Sequence, residues 1–146
     1  MAKNLEHAFL VRIVSPDGEL YRQYAVSLVA PALDGYLGVL KNHAPMIAAL
    51  DIGELLIRTP DEEIISLAVG GGFMEVSRDY VTVLCDTAEF REVIDIARAT
   101  RDLEEARERL SKKFSEVEVE RAQVALRKAM NRLKVASRKE RSKIIE

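Results

Sequence analysis

From Phe73 to Glu146 the chain has neither glycine nor proline, whereas all seven glycines and all four prolines lie at or before Gly72. Tight turns rely on Gly for positive φ and on Pro for a preset φ, so the turn-rich and turn-poor parts must fold differently. The change of character falls on residues 89–101, EFREVIDIARATR, and everything after this joint is predicted to be helical.

Charge divides the chain at the same place. Residues 1–90 hold 6 Lys/Arg against 13 Asp/Glu and residues 91–146 hold 16 against 11, so the net charge of −2 conceals halves of −7 and +5. A length of 146 residues suits either one ordinary core or a small domain with an appendage, and the charge split favours the second. No apolar run approaches the roughly 20 residues of a membrane span, and the N-terminus lacks the charged-then-apolar pattern of a signal peptide. A soluble chain that stays where it is made is therefore expected. Cys85, the single cysteine, lies in an apolar run, which excludes a disulfide framework or a cysteine metal site and fits a reducing compartment.

The first half is a series of short apolar runs between turn signals. Phe9, Val11 and Ile13 lead into Ser15-Pro16-Asp17-Gly18, a strand and a β-turn. The runs Tyr24–Ala30, Leu37–Leu40, Met46–Leu50, Glu54–Thr59, Ile64–Val69, Gly72–Val76 and Tyr80–Leu84 follow. Regular short strands without a helical period predict an antiparallel β-sandwich or flattened barrel over about residues 1–90.

The second half has a helical period. Ile96, Ala99, Leu103, Ala106 and Leu110 draw one apolar seam on a helix from about residue 92 to residue 112, with Lys112 and Lys113 at its end. Ser115 and Glu118 form a capping box, Phe114 and Val119 a hydrophobic staple, and Val119, Ala122, Leu126, Ala129, Leu133 and Ala136 a second seam over about residues 116–137. An antiparallel two-helix hairpin is expected over residues 91–146, its four leucines supplying at most about 8 kcal/mol of gross packing. Residues 137–146 either extend the second helix or fray.

Chemistry-bearing motifs are few. Gly70-Gly71-Gly72 precedes a strand-like Phe73-Met74-Glu75-Val76 rather than a helix or a Gly-Lys-Ser/Thr ending, so it reads as a turn and not a phosphate loop. His43 and His7 lack metal-ligand spacing, and no Ser or Cys stands in a nucleophile motif. No catalytic or metal site is expected. From Arg121 to Lys143 there are nine Lys/Arg and one acid, Glu140, which is a solvated face or a surface for an acidic partner.

Two phrases carry a resemblance. Gly35-Tyr36-Leu37-Gly38-Val39-Leu40-Lys41-Asn42-His43-Ala44-Pro45 and Gly71-Gly72-Phe73-Met74-Glu75-Val76 resemble G-x-L-G-x-L-x-x-H-x-P and G-G-F-x-E-V of the epsilon subunits of bacterial F-type ATP synthases. The likeness extends over the whole chain, since that family also joins a β-sandwich to two C-terminal helices. It implies a non-catalytic central-stalk subunit that couples proton flow to ATP synthesis and restrains ATP hydrolysis. The implied partners are the gamma subunit, the c-subunit ring and the catalytic alpha and beta subunits, on the cytoplasmic face of the bacterial membrane. By resemblance, Gly35, Tyr36, Gly38 and His43 meet the stalk and the c ring, with Tyr36 where an acidic residue is frequent. Extended C-terminal helices would bring Arg121, Arg127, Lys128, Arg132, Lys134 and Arg138 to acidic loops of the catalytic head.

Ile94-Asp95-Ile96-Ala97-Arg98-Ala99 matches I/L-D-x-x-R-A, which in some members contributes a regulatory ATP site. Asp95, Arg98 and Ala99 share one helix face, offering an acceptor, a planar cation and room for a base. The resemblance adds Glu89, Lys128 and Arg132 to the set Ile94, Asp95, Arg98 and Ala99. Glu105 and Lys128 both stand where nucleotide-binding members carry Arg. The local alternative is that Asp95 caps its helix and pairs with Arg98. The alternative for the whole chain is a β-sandwich adaptor whose basic hairpin binds another acidic partner such as nucleic acid.

Overall fold

The computed structural model describes residues 5–112 and 115–138. Eight strands come first among them: β1 Phe9–Ser15, β2 Gly18–Ala25, β3 Ser27–Ala32, β4 Gly35–Val39, β5 Met46–Arg58, β6 Ile64–Val76, β7 Tyr80–Cys85 and β8 Ala88–Phe90. A 3-10 turn at Arg91–Val93 leads into helices α1 Ile96–Ser111 and α2 Glu116–Ser137. The strands hydrogen-bond in the order β2-β1-β7-β6-β5-β3-β4, with β8 beside β6. Phe9 and Ile13 of β1, Leu28 of β3, Val39 of β4 and Leu55 of β5 meet in one buried cluster with Leu67, Val81 and Val83. Strands distant in the sheet share this cluster, so the sheet folds over itself into a sandwich. One neighbouring pair, β1 with β7, is parallel, a detail that alternation along single strands does not encode.

Runs expected as separate strands are fused. Met46–Leu50 and Glu54–Thr59 belong to β5, and Ile64–Val69 and Gly72–Val76 belong to β6. The glycine triplet is a bend inside β6 rather than a turn before a strand: Gly71 and Gly72 take φ of 102° and 138°. Here β6 passes from β8, paired through Leu67–Val69, to β7, paired from Gly72 onward. A Cβ on Gly72 would lie 1.9 Å from the Leu84 carbonyl oxygen, so glycine is required for both its φ and its close approach. Pro31 does not end its run, since it pairs with Tyr36 inside β3 where the register to β5 shifts. Cys85 is buried, and that burial, followed by the neighbouring Asp86 charge, pushes its thiol up to about 12.

The middle of the long hairpin differs from its ends. Gly53–Ile57 and Ser66–Val69 are buried continuously rather than alternately, because the core covers one face and the helices the other. Opposite residues in an antiparallel pair share a face, so Glu54 with Ala68 and Leu56 with Ser66 form the helix-facing side.

The helices depart from expectation in two ways. α1 starts at Ile96 and not near residue 92, because Asp95 is extended (φ −82°, ψ 101°) and its carboxylate accepts the Arg98 backbone N–H at 3.0 Å. The preceding residues instead form the 3-10 turn, and Ile96 is exposed while Ile94 is buried. In the seam, Ala99, Ala106, Ala122 and Ala129 are fully buried while Leu103, Leu110, Leu126 and Leu133 are only half-buried. The leucines therefore flank a close alanine contact and do not dominate the packing. Ser115 caps α2, its Oγ accepting the Glu118 N–H at 3.4 Å. The expectations for Lys113, Phe114 and residues 139–146 lie outside the described residues.

Candidate functional site

A groove of about 350 Å³ opens between the helical hairpin and the sheet. Its floor is Ala68, Val69 and Gly70 of β6 with Thr87, and its walls are α1 and α2. A Cβ on Gly70 would meet Thr87 Oγ1 at 2.1 Å, so any larger residue there must displace the Thr87 hydroxyl from the floor.

The walls are charged in near balance. Glu89, Asp102 and Glu105 face Arg109, Lys128 and Arg132. Arg132 is held by two carboxylates: its Nε lies 2.6 Å from Glu89 Oε1, and its Nη1 donates to Asp102 Oδ2 at 3.3 Å. The Nε contact is electrostatic rather than an aligned hydrogen bond, because Nε finds no acceptor at hydrogen-bond angle, whereas Nη2 donates to Glu89 Oε2 at 3.2 Å. Arg109 is tied to Glu105 at 2.7 Å. Among the described residues Lys128 has no such partner, and its Cε stands 3.5 Å from where a Gly70 Cβ would be. The groove therefore offers one free ammonium among paired charges.

Of the expected nucleotide set, Glu89, Lys128 and Arg132 come together here, while Ile94, Asp95, Arg98 and Ala99 do not line the groove. Ile94 packs with Ala68 and Val135, Asp95 caps α1, Arg98 is exposed and Ala99 is buried in the alanine seam. No ion pair joins Asp95 to Arg98 among the described residues. Asp102, Glu105 and Arg109 share the 3,4 spacing of one α1 face, and that line of charges beside the seam was the sequence signal for the groove wall.

The basic residues of α2 divide by partner. Arg127 Nη2 donates to Asp51 Oδ1 at 2.8 Å, and the Asn131 side chain donates to the Gly53 carbonyl at 2.8 Å. Arg138 pairs with the buried Glu54. Arg121 and Lys134 are exposed, without an ion pair among the described residues. No local sequence rule gives Asp51, Gly53 and Glu54 their partners; the two acids within the otherwise largely apolar β5 are the one signal that marks them. At the far edge of the sheet, β4 carries Gly35, Tyr36 and Gly38, with Tyr36 62% exposed. The His43 ring nitrogen Nδ1 lies 2.8 Å from the Ala44 carbonyl oxygen. Among the described residues no cluster of His, Cys, Asp or Glu could hold a metal ion, and no helix is long and apolar enough to cross a membrane.

Residues 8–91 match the family described as ATP synthase, Delta/Epsilon chain, beta-sandwich domain, and residues 92–137 match the companion long alpha-helix domain. The ATP synthase epsilon chain of Desulforamulus reducens is 43% identical over 124 residues, covering 85% of this chain and 93% of that one. The epsilon chain of an Exiguobacterium species is 42% identical over 131 residues, covering 89% and 96%. In fold, the chain is similar to one from the Euglena gracilis mitochondrial ATP synthase, OSCP/F1/c-ring, with a TM-score of 0.77 at 22% identity over 90% of this chain and 82% of that one. A chain of the Tetrahymena thermophila mitochondrial ATP synthase central stalk and c-ring gives a TM-score of 0.67 at 13% identity, covering 94% and 100%.

Proposed function

This chain belongs to the ATP synthase delta/epsilon family as an epsilon chain, a non-catalytic subunit, and we propose that its α1–α2 hairpin is a releasable arm that restrains ATP hydrolysis. The sandwich is the fixed part, seated on the gamma subunit and the c-subunit ring at the cytoplasmic side of the membrane and coupling proton flow to ATP synthesis. Gly35, Tyr36, Gly38 and His43, at an exposed sheet edge and the loop after it, are its contact to the ring and stalk. The whole-chain adaptor alternative is set aside by family matches that together run from residue 8 to residue 137.

The observation that carries the arm reading is the way the hairpin is docked. It rests on the sheet through a small apolar cluster of Ala68, Ile94, Val135 and Ala136, while most other fastenings are ion pairs to acids of the sheet domain. Ionic contacts can be exchanged for others of the same sign without melting a helix, and the alanine seam keeps α1 and α2 together when the pair moves. Arg121, Arg127, Lys128, Arg132, Lys134 and Arg138 would then meet acidic loops of the catalytic alpha and beta subunits. Three of them, Arg127, Arg132 and Arg138, are occupied by sheet-domain acids when the arm lies down, so the two states compete for the same cations.

ATP is proposed as a weak regulatory ligand of the groove. The volume suits a small ligand, and Lys128 with Arg132 would hold its phosphates, Glu89 bordering them. The six charged groups that line the groove cancel, and Glu105 places a carboxylate among them, so the fit is better in shape than in charge. Bound there, a nucleotide supplies a bridge between α2 and the groove floor that favours the lowered arm.

Reconstitution with gamma and the catalytic subunits tests the function. Alanine at all six basic positions is expected to raise ATP hydrolysis severalfold over the wild-type complex while the subunit stays bound. Unchanged hydrolysis would remove the inhibitory role.

A further inference from the structure

Glu54 is the buried acid of the helix-facing side of β5, with 3% of its surface exposed. One carboxylate oxygen accepts the Ser66 hydroxyl at 2.5 Å from the neighbouring strand, and the other pairs with the guanidinium of Arg138, the residue that follows α2 as its C-cap. The same residue is gripped a second time, since Arg91 Nη1 donates to the Arg138 carbonyl at 2.7 Å. Val135, fully buried, packs beside this point against Ala68 and Ile94. Arg138 is the extended C-cap residue of α2 (φ −71°, ψ 127°), so both contacts hold the chain just past the helix end.

The pairs that dock α2 are not equivalent. Arg127 and Asp51 have side chains 52% and 35% exposed, which places that pair in screening solvent. Arg138 and Glu54 are 26% and 4% exposed. A carboxylate that loses its only cation in such a site keeps the desolvation penalty without the attraction, so removing one partner is far more damaging than losing a surface pair. Ser66 would be its remaining polar partner among the described residues.

We propose that Glu54 is the clasp of the arm: by holding Arg138 in a nearly dry site it keeps the C-terminal end of α2 closed, and its release is the step that controls opening. This rests on the reading of α1–α2 as a releasable arm. Because Glu54 belongs to the sandwich and not to the arm, altering it loosens the arm without removing any cation that the raised arm would use. The Arg127 and Arg132 pairs then set how firmly the rest of α2 lies down, and Glu54 sets whether its end lets go.

Amide hydrogen exchange of the full chain, read by mass spectrometry, tests this with wild type, Glu54→Gln, Arg138→Gln and the double variant. Glu54→Gln keeps shape and a hydrogen-bonding partner for Ser66. Exchange over residues 130–137 is expected to rise at least tenfold, equivalent to about 1.4 kcal/mol, while Leu55–Ile57 and Leu67–Val69 keep wild-type rates. The double variant is expected to add little to either single one. Unchanged exchange in α2 of Glu54→Gln, with α2 opening ahead of the strands in wild type, would overturn the clasp alone. Equal acceleration of the strands would make Glu54 a plain core residue and also overturn it. If α2 and β5 exchange together in every variant, the hairpin never opens as a unit and the arm reading itself falls.

Discussion

Arg127 and Asp51 are 76 residues apart in sequence, yet the guanidinium Nη2 of one lies 2.8 Å from the carboxylate Oδ1 of the other. The pair joins the acidic sandwich to the basic hairpin, so the opposite net charges of the two halves become a docking force. Asp51 also accepts the Ile52 backbone N–H at 2.8 Å. That hydrogen bond first, and the Arg127 hydrogen bond second, hold its carboxyl below the ordinary 3.8. A depressed carboxylate stabilises the fold above its unfolded value and loses that contribution as pH falls through the folded value. Only the Arg127 part of that depression belongs to docking, so the lowered arm is expected to loosen modestly as pH drops below about 4, and Asp51→Asn should remove that part of the pH dependence. Both side chains are more than a third exposed, so after solvent screening the effect is about 0.2–1 kcal/mol and shrinks with added salt. Hydrogen exchange of α2 against pH, at low and high salt, is the measurement.

Two glycines of the family-like phrases should behave oppositely. Gly72→Ala meets both a φ of 138° and the Leu84 carbonyl, and is expected to destabilise the sandwich by at least about 1–3 kcal/mol in urea unfolding. Gly38→Ala has ordinary φ and nothing within 4 Å, so stability should stay within about 0.5 kcal/mol. Any loss on Gly38→Ala would then appear in recovery of the c ring, not in folding.

The alanine seam predicts intolerance of larger side chains. Ala129 is 2% exposed at the contact between α1 and α2. Ala129→Leu should force the helices apart at a cost of about 1–3 kcal/mol, read as a lower melting temperature of the full chain. The same change at Val124, 42% exposed on the outer side of α2, should be nearly silent.

For the groove, calorimetry of the full chain is expected to show ATP binding with a dissociation constant on the order of 1 mM. Lys128→Ala should abolish the heat, because it removes the cation that has no other ion-pair partner among the described residues. Glu105→Gln should tighten binding roughly threefold to tenfold by removing a carboxylate from the wall. A wild-type chain that gives no heat at millimolar ATP would take the nucleotide out of the reading.

Much of the candidate site was legible and part of it was not, for reasons visible in single residues. Asp95 as a helix cap and the 3,4 seam follow from local rules, since caps and periodicity involve neighbours within one turn. Lys128 and Arg132 were legible as a pair four residues apart on α2. The dispersal of Ile94, Asp95, Arg98 and Ala99 was not, because a helix begun at Ile96 leaves Ile94 to pack against Ala68 and Val135 and Asp95 to cap, and turns Arg98 to solvent and Ala99 into the seam. Glu54 could be seen as an odd acid in an apolar strand, but its partner could not be named.

The residues alone established a β domain followed by a helical hairpin, with charges of opposite sign, because turn chemistry, side-chain alternation and net charge are properties of neighbouring positions. Tertiary structure decided which acid each arginine takes: Asp51 for Arg127, Glu89 and Asp102 for Arg132, and Glu54 for Arg138. Those choices follow from where α2 lies against β5 and β6, because ion pairing is set by distance in space and not along the chain.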